Sequence, residues 1–192
     1  MNSGGGAPVV GGIVLAAGGG TRFGATKQLA SLQGRPLLSY ALAAVNELSP
    51  RVVVLGHEAE AILAAVDLQG ARAVVCPEWG EGQAASLRCG VTALGDVDAA
   101  VVVLGDQPRI TAGAVAAVAG AAEPGLAAAR GSYGGRPGHP VLLGRALLAR
   151  VGELRVDVGF RDLLSGEDVR EIEVGGLADP VDIDTQEELA RL

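Results

Sequence analysis

Four glycines and two cations are packed into residues 15–27, which read Leu-Ala-Ala-Gly-Gly-Gly-Thr-Arg-Phe-Gly-Ala-Thr-Lys. Glycine lets a backbone take positive φ and approach a ligand closely. Successive N–H groups in such a turn form an anion-binding nest. Gly18, Gly19 and Gly20 supply the turn, and Arg22 and Lys27 add charge that a turn alone does not need. Lys27 is the chain's single lysine, against fourteen arginines. A compact ammonium on a flexible stem meets a phosphate as a point charge, where a guanidinium offers a planar fork. Neither common phosphate loop fits. No Gly-Lys-Ser/Thr follows as a Walker A loop requires, and Phe23 stands three residues after Gly20, where Gly-x-Gly-x-x-Gly needs a glycine. The segment reads as a phosphate loop of another kind, with a tight strand-to-loop turn as the ordinary alternative.

A phosphate loop calls for carboxylates that could hold a divalent cation, since Mg²⁺ takes one or two protein carboxylates together with phosphates and water. Asp106 follows the most apolar run of the chain, where an ionised carboxylate is costly unless paired or metal-bound. Asp182 and Asp184 are two apart in an extended stretch and so face the same way. Either can supply the second ligand, Asp182 being favoured, with helix capping near Thr185 as the ordinary alternative. Gln83 and Ser86 lie near a helix start, where capping is the plain role. His139 sits between Gly138 and Pro140 in a loop-like stretch, and His57 reads as an ordinary helix-start residue with no role assigned.

These residues need a scaffold, and the pattern is strand then helix, repeated. Residues 9–15 form an apolar, β-branched run suited to a doubly buried strand. Pro36 opens a helical stretch carrying Leu37, Leu38, Ala41, Leu42, Val45 and Leu48 on one face. Further strands are expected at 52–55, 71–76 and 99–104, with helices at 58–66 and 83–94. Thr111 caps a helix reaching about residue 122. A short strand at 126–130, helical segments at 145–151 and 159–164 and a late strand at 169–174 follow. Thr185 and Glu188 have capping-box spacing before a terminal helix. The expected fold is α/β and three-layered, Rossmann-like, with a mostly parallel sheet, helices on both faces and a small hairpin or loop insert near 131–143. In such sheets ligands bind at the carboxyl ends of strands, where both the Gly-rich loop and Asp106 fall.

The 192 residues suit one domain over 9–192 preceded by a flexible tail over 1–8. Residues 1–6 carry no signal-peptide pattern, no apolar run is long enough to span a bilayer, and cytoplasm is the expected compartment. A net charge of −7 disfavours nucleic acid or an anionic membrane as partner, so any anionic ligand must meet a local positive cluster. Cys76 and Cys89 have neither metal-ligand nor C-x-x-C spacing and are expected to be buried, idle thiols.

The motifs together resemble a family. Leu-Ala-Ala-Gly followed by Arg22, Gly24 and Lys27 is similar to the signature of the nucleotidyltransferases that include molybdenum cofactor cytidylyltransferase. The likeness continues through Gly34-Arg35-Pro36-Leu37, residues 79–88 (Trp-Gly-Glu-Gly-Gln-Ala-Ala-Ser-Leu-Arg), Gly105-Asp106-Gln107-Pro108, residues 135–140 (Gly-Arg-Pro-Gly-His-Pro), Gly159-Phe160-Arg161 and Asp182-Ile183-Asp184-Thr185. Gln186 stands where a proline is usual and Phe160 where an alanine is. The resemblance implies CMP transfer from CTP to the terminal phosphate of a molybdopterin-type acceptor, with Mg²⁺ (or Mn²⁺) as cofactor. It implies that Leu15, Ala16, Ala17, Gly18, Gly19, Gly20, Gly82, Gln83, Ser86 and Arg88 bind nucleotide. It implies catalytic roles for Arg22, Lys27 and Asp106, metal ligation by Asp106 with Asp182 or Asp184, and an acceptor side formed by Gln107 and His139. Ala17 favours cytidine, because the guanylyltransferase relatives more often carry Leu-Ala-Gly-Gly. A transient contact with a molybdoenzyme or its chaperone is also implied. The competing readings are GTP in place of CTP, a sugar or polyol phosphate as acceptor, a non-catalytic nucleotide- or pterin-binding protein, and a dehydrogenase, which the missing nicotinamide fingerprint disfavours.

Overall fold

The computed structural model describes residues 6–20, 22–153 and 163–192. In chain order its elements are β1 (Val10–Ala16), a short antiparallel pair β2 (Ser31–Leu32) and β3 (Arg35–Pro36), α1 (Leu38–Ala44), β4 (Arg51–Leu55), α2 (Ala59–Ala65), β5 (Arg72–Val75), α3 (Gln83–Leu94), β6 (Ala99–Leu104), α4 (Ala112–Ala119), β7 (Ala128–Tyr133), β8 (Arg136–Gly144), α5 (Arg145–Arg150), β9 (Val169–Glu173) and a C-terminal helix, Gln186–Ala190. A seven-stranded sheet runs in the order β5-β4-β1-β6-β8-β7-β9. All its pairings are parallel except those of β8, which runs against β6 and β7.

The alternation of the pleat divides the core into two layers. Val14, Val53, Val101 and Val103 point to the side covered by Leu38 and Leu42 of α1, Ile62 of α2 and Val115 and Val118 of α4. Their neighbours Ile13, Leu15, Val52, Val54 and Val102 point to the side covered by Leu87 and Leu94 of α3 and Leu147 and Leu148 of α5. Burial on both faces is why these strands read as unbroken apolar runs. Gly90 lets α3 sit close to β1 and β4, since a Cβ there would lie 2.8 Å from Ile13 Cγ2 and 3.0 Å from Val54 Cγ2.

Several expectations change. Of the two alternatives near 131–143 the hairpin is the one formed, and it belongs to the main sheet: β7 and β8 turn at Gly134 and Gly135, both at positive φ. Its loop-like composition has a packing cause. A Cβ on Gly131 would lie 3.0 Å from the His139 carbonyl oxygen, at a register shift between Arg130 and Gly131, and one on Gly138 would lie 3.0 Å from the Tyr133 ring. Pro36 belongs to β3, and α1 begins two residues later. Cys76 and Cys89 are joined by a disulfide, with Cα atoms 5.8 Å apart. The end of β5 and the middle of α3 meet in space, which sequence spacing does not reveal. Thr111 accepts from the Ala114 amide as expected, and the Thr185–Glu188 capping box is complete. Most of the helical segment expected at 159–164, with Phe160, lies outside the described residues.

Candidate active site

The chain leaves β1 toward β4 on one side and returns through α3 to β6 on the other. The reversal opens a crevice at the carboxyl ends of β1 and β6, the usual ligand position in open α/β sheets. Both motifs emerge there: the Gly-rich loop follows Ala16, and Gly105-Asp106 follows Leu104. The Gly105 amide donates to the Leu15 carbonyl at 2.9 Å, which holds the two strand ends in step. Gln28, buried beside Lys27, donates through Nε2 to the carbonyls of Ala16 at 2.7 Å and Gly18 at 2.9 Å. One side-chain amide thus pins the start of the loop through two of its carbonyls. Thr21 lies outside the described residues.

Lys27 reaches the end of β6. Its Nζ donates to Asp106 Oδ2 at 2.8 Å and to Asp184 Oδ1 at 3.1 Å, while Arg22 reaches Asp184 Oδ2 at 3.2 Å. Burial pulls the Lys27 pKa down, but Asp106 and then Asp184 more than offset this and the net shift is upward. The ammonium therefore stays charged although the side chain is only 11% exposed. Among the described residues the other oxygen of Asp106, Oδ1, is buried without a hydrogen-bond partner, as is Gln107 Oε1.

Ile183 explains how two aspartates face one site. Its fully buried side chain packs with Phe23, Leu32 and Leu37, and its amide donates to the Asp106 carbonyl at 3.0 Å. With Ile183 turned inward, Asp182 and Asp184 turn the other way. Asp184 spends both oxygens on Lys27 and Arg22, whereas among the described residues Asp182 Oδ1 accepts from Gln107 Nε2 alone, at 2.9 Å. Burial raises the Asp182 pKa, opposed by the Gln107 hydrogen bond and reinforced by Asp106 and Asp184. Gln186, where a proline is usual, donates to the Phe23 carbonyl at 3.3 Å and ties the helix start to the loop.

Leu15, Ala17, Gly18, Gly82, Gln83, Ser86 and Asp106 line one cavity of about 300 Å³, together with Trp79, Gly80 and Leu104. Ala16 does not line it: its side chain is buried in the core layer on the opposite face of the sheet, with Leu38 and Leu42. Trp79 lies across Gly56 at the end of β4, where a Cβ would fall 2.4 Å from Trp79 Cγ and 2.7 Å from the Ala17 carbonyl oxygen. Arg88 pairs with Glu81 at 3.5 Å on the loop before α3. His139 stands near enough to feel the Asp106 charge. Burial lowers its pKa to about 4, against the upward pull of Asp106, so the imidazole is neutral at physiological pH. Gln107, expected on the acceptor side, donates through Nε2 to Asp182 Oδ1.

Gln28, Ile183 and the Trp79–Gly56 contact were not singled out by sequence reasoning. The readable signals were a polar residue next to the lone lysine, an isoleucine between two aspartates and the chain's single tryptophan. His57 also belongs here: its amide donates to the Ala17 carbonyl at 3.1 Å and its ring lies 5.5 Å from that of Trp79. A larger cavity, about 690 Å³, opens at the other end of the strands beside Pro8, Asp98 and Leu126. Its cation, Arg145, is already paired with Asp96 and Asp98, and among the described residues no motif residue lines it. Among the described residues, the one group of three metal-ligand side chains with donor atoms within 4.8 Å of one another is Cys76, Glu78 and Cys89. Its sulfurs are bonded to each other.

Residues 12–172 match the MobA-like NTP transferase domain, which spans most of the chain and the whole crevice up to Asp106. The chain belongs to this family. Its fold is that of the family's solved relatives. Rv0371c from Mycobacterium tuberculosis H37Rv superposes with a TM-score of 0.86 at 30% identity over 97% of both chains. A manganese complex of Rv0371c superposes at 0.81 over 95% of this chain and 97% of that one, at 28% identity. Nicotine blue oxidoreductase of Paenarthrobacter nicotinovorans is 32% identical over 96% of this chain and 97% of its own length. The bifunctional protein GlmU of Cutibacterium acnes is 43% identical over 107 residues, covering 52% of this chain but 25% of GlmU. The chain spans well under half the length of the GlmU proteins that it matches. No helix among the described residues is long and apolar enough to cross a membrane.

Proposed function

We propose that this MobA-like nucleotidyltransferase moves CMP from CTP to the terminal phosphate of a molybdopterin-type acceptor and releases pyrophosphate. The observation that carries the transfer chemistry is the Lys27–Asp106 contact beneath the Gly-rich loop, a cation and a carboxylate joined at the switch point of the sheet. An acceptor phosphate oxygen attacks the α-phosphorus, the α–β anhydride bond breaks and pyrophosphate leaves. The acceptor is already ionised at neutral pH, so no strong general base is required. Positioning and charge neutralisation carry the rate, as in phosphoryl transfer generally. Backbone N–H groups of Ala17–Gly20 receive the triphosphate, and Lys27 exchanges its carboxylates for phosphate oxygens as the nucleotide enters. Arg22, 79% exposed at its side chain and held among the described residues by Asp184 alone, swings onto the same anion. Gln83 and Ser86 face the base and ribose, and Ala17 with the Leu-Ala-Ala-Gly resemblance favours cytidine. His139, neutral and beside Asp106, lines the acceptor side.

A divalent cation fits this site. Asp106 Oδ1 and Gln107 Oε1 are buried oxygens lacking hydrogen bonds, and Asp182 is a desolvated carboxylate between two others. All are hard donors of the type Mg²⁺ and Mn²⁺ take. Asp106 and Asp182 would hold the ion, Asp184 being engaged by Lys27 and Arg22. When bound, it supplies charge neutralisation at the α-phosphate.

The test is pyrophosphate release by purified protein with Mg²⁺ or Mn²⁺, four nucleoside triphosphates, molybdopterin and several sugar phosphates. Turnover with CTP and molybdopterin is expected, and turnover confined to a sugar phosphate overturns the acceptor. The full-length likeness to nicotine blue oxidoreductase favours a second reading, an oxidoreductase on the same scaffold. It predicts nicotinamide-dependent redox turnover and no pyrophosphate from any pairing.

A further inference from the structure

Cys76 follows the last residue of β5 and Cys89 lies in the middle of α3, and the disulfide between them closes a loop of sequence separation 13. That loop is one wall of the cavity at Asp106, where Trp79, Gly80, Gly82, Gln83 and Ser86 all line the space. Its two halves are held differently. The α3 half is fixed from the core side, where Leu87 and Leu94 are buried and Gly90 sits against Ile13 and Val54. In the other half, residues 77–83 are exposed except for Trp79. Their backbone hydrogen bonds are local turns: the Trp79 amide donates to Cys76 at 3.3 Å, Glu81 to Glu78 at 2.9 Å and Gly82 to Trp79 at 3.2 Å. Such bonds set the curl of the segment but not its place. A Cβ on Gly80 or Gly82 would meet nothing within 4 Å. A stretch with few buried contacts belongs to the least stable part of a fold. The Trp79 contact with Gly56 and the Glu81–Arg88 ion pair hold it by side chains, and the disulfide holds it covalently.

We propose that the Cys76–Cys89 pair is a redox-responsive clamp on the nucleoside side of the cavity. Closed, it fixes the wall over residues 77–83 for the incoming nucleotide. Opened by a dithiol reductant, it releases that wall and weakens nucleotide binding, while the sheet and the carboxylates at Lys27 stay as they are. The inference rests on the nucleotidyltransferase reading and adds a regulation to it. In the opening step a thiolate of the reductant attacks the Cys89 sulfur, the S–S bond breaks, and Cys76 leaves as a thiolate that takes up a proton. The reductant's second thiol then attacks the mixed disulfide, which leaves Cys89 as a thiol and the reductant as a disulfide, two electrons and two protons having passed to the protein. Cys76 is fully buried and Cys89 half-buried, so the attack falls on Cys89. The new Cys76 thiol has a hydrogen-bond acceptor waiting, since its sulfur lies 3.5 Å from the Ala85 carbonyl oxygen. The chain has no third cysteine, so within one molecule the opened pair recloses only on itself. A bridge of this kind is a permanent staple in an oxidising compartment and a transient, redox-sensing one in a reducing compartment.

Isothermal titration calorimetry of the full chain with CMP and with GMP, oxidised and after reduction with dithiothreitol, tests the clamp. Reduction is expected to weaken binding of the preferred nucleotide about tenfold, the cost of re-ordering one or two side chains of the wall, and reoxidation to restore it. Cys89→Ser is expected to match the reduced wild type and to ignore the reductant. Its Mn²⁺ affinity, compared with that of oxidised wild type so that no reductant competes for metal, is expected to stay within about twofold. Glutamyl endopeptidase should cut after Glu78 or Glu81 faster in the reduced protein. Equal nucleotide affinity before and after reduction overturns the clamp alone, as do two reactive thiols in the air-oxidised protein. An equal loss of nucleotide and Mn²⁺ affinity in Cys89→Ser points to general loosening and also overturns it. Oxidised wild type that binds neither nucleotide overturns the nucleotidyltransferase reading and the clamp with it.

Discussion

Lys27 is bound to two carboxylates in the free protein and is assigned to phosphate in the working one, so its removal should have opposite effects on two measurements. Lys27→Met keeps the length and the apolar stem and deletes only the ammonium. At about 4 Å and an effective dielectric near 20, two unit charges interact by about 4 kcal/mol. The Asp184 side chain is 45% exposed and Asp106 28%, so solvent screening leaves a fraction of that, of order 1–2 kcal/mol. The ammonium is the electrostatic competitor of a divalent cation for these carboxylates. Without nucleotide, Lys27→Met should therefore bind Mn²⁺ about tenfold more tightly, the equivalent of about 1.4 kcal/mol. With nucleotide, the same variant lacks a cation at the developing charge. Loss of one preorganised stabilising group costs about 10²–10³ in kcat. Calorimetry with Mn²⁺ and a pyrophosphate-release assay read the two effects on one preparation, with the thermal midpoint checking the fold. A folded variant that binds Mn²⁺ more weakly refutes the competition between ammonium and metal. One that turns over within about tenfold of wild type refutes the phosphate role.

Four further perturbations address the surrounding structure. Asp182→Asn should raise the thermal midpoint of the metal-free protein at pH 7, by about 2–4 °C per kcal/mol relieved, and abolish the stabilisation given by Mn²⁺. The sign follows from the raised pKa: the cost of ionising Asp182 in the fold is fully present above its folded pKa and vanishes as pH falls below it. Melts at pH 7 with and without Mn²⁺ check both parts. Gly56→Ala drives a Cβ into Trp79 and the Ala17 carbonyl. It should cost about 1–3 kcal/mol and shift Trp79 fluorescence, while Gly80→Ala, with nothing within 4 Å of the new Cβ, should do neither. Cys89→Ser opens the disulfide and should cost about 3 kcal/mol in urea melts under non-reducing conditions; a variant as stable as the oxidised wild type argues against a formed bridge. His139 is held neutral to about pH 4 in the fold, against an ordinary value of 6.5. The unfolded chain thus takes up its proton first, and stability should fall as pH drops from about 6.5 to about 4, by at most about 3 kcal/mol. His139→Asn should flatten that slope in denaturant titrations.

What sequence made legible was whatever depends on local pattern. Doubly buried strands read as apolar runs because both faces of β1, β4 and β6 are covered. Thr111 and Thr185 declared their helices because capping is a contact within three residues. The mostly parallel sheet followed from alternation, and with it the end of the sheet at which to look. The failures were all questions of what meets what. Glycines and prolines at 131–140 left loop and hairpin equally open, because nothing local says that Gly131 and Gly138 are small where β8 and Tyr133 press on them. Cys76 and Cys89 looked idle because nothing in their spacing says that α3 crosses the end of β5.

The candidate site divides along the same line. Arg22, Lys27 and Asp106 stood out because a turn alone does not need their charges, and Gly18–Gly20 became candidates only beside them. Gln28, Ile183 and Trp79 act through side chains that serve equally well as ordinary packing, and only their partners distinguish them. Ile183 is the instructive case. Its burial against Phe23 and Leu37 fixes the direction of both flanking aspartates, so an apolar contact sets the electrostatics of the crevice. Lys27 then selects between those aspartates: with Arg22 it occupies both oxygens of Asp184 and leaves Asp182 held by one neutral amide. The preference for Asp182 as metal ligand, which began as one of two equivalent positions on an extended strand, thereby acquires a physical reason. Asp184 has both oxygens engaged by the two cations.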